Sequence, residues 1–170
     1  MNEINDKFGT GQKIGIEALS NDGRIKCYLT LYSYNEFPNV ILVQSSFINI
    51  SEKDYLIQDY TLNQISLHHP SLSNPKWWSF QGASYRWGND FAFQLPESFS
   101  RENYMGMNAI KAGGGLPIVD IWNKEFGLAL AYLGEKPRDI SLPVKVENSK
   151  VNLGINENYK NQKLFGFLLV

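Results

Sequence analysis

Trp77, Trp78, Phe80, Tyr85 and Trp87 crowd five rings into eleven residues, with Gln81, Arg86, Asn89 and Asp90 among and after them. A flat ring can lie against the C–H face of a pyranose. Amide, guanidinium and carboxylate groups can take the hydroxyls around its rim. The candidate sugar-contacting set is therefore Trp77, Trp78, Tyr85, Arg86, Trp87 and Asp90. The same rings can also pack as the core and rim of a β-sandwich, because aromatics dominate core energetics. Exposure separates the two readings. A binding surface presents at least two ring faces to solvent in a groove, whereas a structural role buries them.

Other chemistries find less support. His68 and His69 are adjacent, and neighbouring side chains on a strand point to opposite faces. With no third ligand at a suitable spacing, they read as a solvated or hydrogen-bonded loop pair and not as a metal site. Gly113-Gly114-Gly115 lacks the Lys-Ser/Thr and the helix of a phosphate loop, so it reads as a tight loop or a close backbone approach. Glycoside hydrolysis needs two carboxylates facing each other across a sugar. Asp90, Glu97, Glu102, Asp120 and Glu125 are near enough in sequence to be candidates, but no spacing pairs two of them. Asp120, set between apolar residues, reads as a hydrogen-bonded structural carboxylate. No nucleophile elbow and no cysteine–histidine pairing stand out. Nothing calls for a cofactor or a metal.

Composition sets the frame that must position these residues. The chain has 170 residues, 43% apolar and 19% charged, with a net charge of −1. That predicts a single domain over 1–170 with a real core, and no electrostatic footprint for nucleic acid or anionic lipid. Apolar runs fall far short of the roughly 18 residues of a membrane span, and the polar start lacks a signal core. Cys27 is alone, so no disulfide framework is expected. A cytoplasmic protein is the simplest reading. Asn49-Ile50-Ser51 matches a glycosylation sequon by pattern only.

The pattern along the chain is β throughout. Ile25, Cys27, Leu29 and Leu31 alternate with Lys26, Tyr28, Thr30 and Tyr32 after the turn signal Asn21-Asp22-Gly23. Phe37-Pro38-Asn39 leads into a second strand at Val40–Val43. Residues 55–67 are mixed and fit one long strand or two short ones. Residues 117–122 and 127–132 flank Asn123-Lys124-Glu125-Phe126 as a hairpin, and 142–147 and 151–155 form another pair through Asn148-Ser149. No stretch of helical period stands out. Many short strands with frequent turns predict an antiparallel sandwich. Residues 68–100, rich in Pro, Gly and aromatics, predict a long loop of the kind that often carries function.

Four blocks carry a resemblance. Trp78-Ser79-Phe80-Gln81-Gly82-Ala83-Ser84-Tyr85, Asn103-Tyr104-Met105-Gly106-Met107-Asn108, Gly113-Gly114-Gly115-Leu116-Pro117-Ile118-Val119-Asp120-Ile121-Trp122 and Ser141-Leu142-Pro143-Val144 occur in that order and span about half the chain. Together they resemble the N-terminal β-domain of melibiase-like α-galactosidases of glycoside hydrolase family 36. The resemblance implies an all-β antiparallel supersandwich, similar to galactose-mutarotase-like folds. It implies that catalysis belongs to a following (β/α)₈ barrel, where two Asp act with retention. The sandwich packs on that barrel, can lend side chains to an α-galactoside or other carbohydrate, and helps build homo-oligomers. Asp90, followed by Phe91, stands where relatives often carry an Asp beside an aromatic, and galactose-hydroxyl contacts are expected there.

The chain also departs from that family. No barrel follows, and the sequence ends on Leu164-Phe165-Gly166-Phe167-Leu168-Leu169-Val170 where relatives continue into further strands. The sandwich is thus expected to be incomplete at its C-terminus and catalytically inactive alone. An open strand edge there would invite self-association. Two other readings stand beside this one: a free-standing carbohydrate-binding module, and a structural or oligomerisation domain without sugar contact.

Overall fold

Period-2 alternation and paired turn residues build a molecule in which every described element is a β-strand. The computed structural model describes residues 2–68, 76–82, 92–105, 116–134 and 140–164, with backbone alone at 57–60, 105 and 158–164. The strands are β1 (Asn2–Asp6), β2 (Gly9–Leu19), β3 (Ile25–Tyr34), β4 (Ile41–Asn49), β5 (Tyr55–His68), β6 (Trp78–Gln81) and β7 (Phe93–Gln94). They continue as β8 (Phe99–Arg101), β9 (Tyr104–Met105), β10 (Ile118–Trp122), β11 (Gly127–Ala131), β12 (Ile140–Ser141), β13 (Val144–Glu147) and β14 (Lys150–Leu164). No helix among the described residues is long and apolar enough to cross a membrane.

The chain forms two compact units. The first runs to Ile57 and takes in the chain again from Gln162. Its described strands form an antiparallel meander in the order β1-β2-β3-β4. The predicted strand at Ile25 is its centre. The Asn21-Asp22-Gly23 turn is present, with Gly23 at φ 71, and the Ser20 hydroxyl accepts from the Arg24 and Ile25 amides. Near the β1 end, the Tyr34 hydroxyl donates to Asp6 Oδ2 at 2.8 Å, and its ring meets Phe8 edge-on. Burial and that bond push the Tyr34 hydroxyl up to about 12.

The second unit, Gln58–Asn161, is a sandwich. One sheet has the order β11-β10-β6-β7. The other has the order β8-β13-β14-β12-β9, with β5 also paired to β14. Inward side chains of both sheets make one core. Val119, Ile121 and Leu130 come from the first sheet, and Val144, Val151, Leu153 and Ile155 come from the second. The predicted hairpins are both present. Glu147 pairs with Lys150 across Asn148 and Ser149, whose φ values of 51 and 61 fit a two-residue type I′ turn.

Residues 55–67 prove to be one strand with a change of phase. Thr61 bonds Asn156 and Ser66 bonds Asn152, so five steps along β5 match four along β14. The extra residue falls where Asn63 takes φ 49, the signature of a bulge. It lets Leu62, Ile65 and Leu67 all pack against the core although their sequence parity differs.

Candidate functional site

The first sheet of the sandwich has an inner and an outer face, and alternation assigns each residue to one. On β6, Ser79 and Gln81 are buried, while Trp78 is 42% exposed. On β10, Val119 and Ile121 are buried, leaving Ile118, Asp120 and Trp122 on the outer side. Register brings these outer residues into rows. Gln94, Trp78, Trp122 and Gly127 are successive cross-strand partners, and Phe80, Asp120 and Ala129 form the next row. Opposed side chains in such rows lie about 5 Å apart at Cβ. Two tryptophans, a phenylalanine, a carboxylate and an amide thus share one open face.

The edge strand β11 shapes this face. It contributes only Gly127, Ala129 and Ala131 to the outer side, so nothing tall rises beside Trp122 and Asp120. A Cβ at Gly127 would come within 2.9 Å of the Trp122 Cβ, so that position is kept clear by glycine. The hairpin tip is fixed by Asn123, whose Oδ1 accepts from the amides of Glu125 and Phe126 at 2.8 and 3.0 Å. Asp120 is partly desolvated on this face. Burial pushes its carboxyl up from the ordinary 3.8, and the Ile121 amide acts in the opposite direction.

The sequence-predicted residues separate here. Trp77 is 2% exposed and belongs to the core. Its ring meets Phe126 edge-on at 5.6 Å, its carbonyl accepts from the Leu95 amide, and its Nε1 has no acceptor. It is therefore corrected from a sugar-contacting residue to a packing residue, because position 77 faces inward where position 78 faces outward. Trp78 stands on the open face. Tyr85, Arg86, Trp87 and Asp90 lie outside the described residues. Trp122 and Asp120 belong to the face but were not in the expected set. Their signal was present in the alternation of Ile118-Val119-Asp120-Ile121-Trp122, which puts 118, 120 and 122 on one side. Among the described residues, no three His, Cys, Asp or Glu side chains gather to hold a metal ion.

The face can stack planar apolar surface on Trp78 and Trp122 and can meet hydroxyl groups with Asp120 and Gln94. Asp120 is the single carboxylate that β6, β7, β10 and β11 supply. No family model matches the chain, and no curated protein matches it.

Proposed function

We propose that this chain is a non-catalytic, sugar-contacting β-domain of an α-galactosidase-like glycoside hydrolase. In this reading it packs on a catalytic barrel and presents a carbohydrate surface beside it. The observation that carries the sugar contact is the outer face of β6 and β10. There Trp78 and Trp122 are direct cross-strand partners, with Phe80 and Asp120 in the adjoining row. One carboxylate on that face suits binding, whereas glycoside hydrolysis requires a pair. The link to α-galactosidases rests on the four sequence blocks, one of which contains β6 and another β10. The proposed setting is cytoplasmic, where a lone thiol such as Cys27 stays reduced.

The test is a titration of galactose and melibiose into the purified chain, followed by tryptophan fluorescence. Saturable quenching that is lost in Trp78→Ala and retained in Trp77→Phe is expected. A flat response from the folded chain to both sugars would remove the sugar-contact reading.

A further inference from the structure

The first unit carries a second surface, independent of the sugar face. The meander β1–β4 segregates its side chains by face. On one side of β2–β4, Lys26 pairs with Glu17 at 2.6 Å, Lys13 lies over the Tyr32 ring, and the Tyr32 hydroxyl donates to Gln44. On the other side the register aligns Ile14, Leu31 and Val43 in one row and Ile16, Leu29 and Ser45 in the next. The positions of β2, β3 and β4 on that side include no charged residue. The apolar residues are open to solvent: Ile14 is 38% exposed, Ile16 47%, Val43 38% and Ile41 64%. Generic exposure of a thin sheet does not account for this, because the charges and their partners are confined to the opposite face.

We propose that this apolar face is the contact through which two copies of the chain associate. Area and symmetry both point to a second copy. Three strands about 4.8 Å apart, over some nine residues rising about 3.4 Å each, give a footprint of roughly 400 Å². A corrugated face has more accessible area than footprint, so two copies face to face remove about 1,000 Å² in total, where specific interfaces begin. An uncharged face can meet itself about a two-fold axis without opposing like charges. Two twisted sheets then stack at the ordinary spacing of about 10 Å.

The experiment is sedimentation velocity of the full chain over a concentration series reaching about 100 µM, which detects a Kd in the micromolar range. The wild type is expected to dimerise. Ile16→Lys, which places a charge on the apolar face, is expected to weaken the dimer by roughly tenfold or more, while Gln44→Lys on the polar face leaves it intact. A monomeric wild type overturns the proposal, as does a dimer that Ile16→Lys leaves unchanged. If Ile16→Lys does not fold, the wild-type thiol decides. Cys27 lies on the apolar face opposite Ala18 and Phe47. Its alkylation should slow as protein concentration rises, and a concentration-independent rate sinks the idea.

Discussion

Replacing Trp77 by Phe tests whether this ring is a packing element with an unpaired N–H. The ring is buried at 2% exposure, and its Nε1 finds no acceptor. Going from indole to phenyl removes about 40 Å² of buried apolar surface, which at about 25 cal/mol per Å² costs about 1 kcal/mol. The small cavity left behind adds something below about 1 kcal/mol. Against this, the variant no longer buries an unsatisfied donor, whose desolvation costs about 1–3 kcal/mol. The edge-on contact with Phe126 survives, since a phenyl ring can still make it. Trp77→Phe should therefore lie within about 1 kcal/mol of wild type, whereas Trp77→Ala should lose about 3–5 kcal/mol. Urea unfolding separates the two. With a slope of about 2 kcal/mol per M, the Ala variant moves its midpoint by about 2 M and the Phe variant barely moves. A Phe variant as damaged as the Ala variant would refute the reasoning, because it would mean that the indole N–H has a partner worth keeping.

Three further outcomes follow from the same structure. Asp120 has a raised folded-state pKa, so its neutral form is favoured by folding. Its contribution is full below 3.8 and is lost as pH rises through the raised value. Asp120→Asn should thus be more stable than wild type at neutral pH, with the gap closing at acid pH in thermal melts. Tyr34 is pushed up from 10.0 to about 12, so its stabilising effect is intact below 10.0 and lost between there and about 12. Tyr34→Phe should remove that alkaline phase, as read by stability curves alongside tyrosinate absorbance. Gly127→Ala forces a Cβ against Trp122 and should cost about 1–3 kcal/mol while shifting the tryptophan emission. An unchanged spectrum and midpoint would mean that Trp122 does not lie there.

Much of the sandwich was legible in the sequence because alternation and turn chemistry are local signals. The central strand at Ile25, both hairpins and the Asn148-Ser149 joint are visible as alternating apolar residues closed by turn formers. β2 was not visible. Gly9, Gly11 and Gly15 interrupt it, and its side chains are half polar. Its pairing on both sides with β1 and β3 supplies what its composition does not. At Gly11 the glycine is required, since the Ser33 carbonyl occupies the space a Cβ would take. β5 was ambiguous because the bulge at Asn63 shifts its phase, so its core residues fit no single alternation.

The candidate face was half legible. Alternation alone predicts that Trp78 and Phe80 share a side, and that Asp120 and Trp122 share a side. It cannot place those two sides together. That required the register that sets Trp78 opposite Trp122, a pairing between strands some forty residues apart. Density of aromatics also misled, since adjacent Trp77 and Trp78 must face opposite ways and only one can stay outside the core.

The most direct test of the sugar-contact claim is a ¹H–¹⁵N spectrum of the tryptophan indoles during a melibiose titration. The account predicts that the Trp78 and Trp122 indole signals shift together along one saturable curve, while the buried Trp77 signal stays in place. Unmoved Trp78 and Trp122 signals at saturating sugar would contradict it.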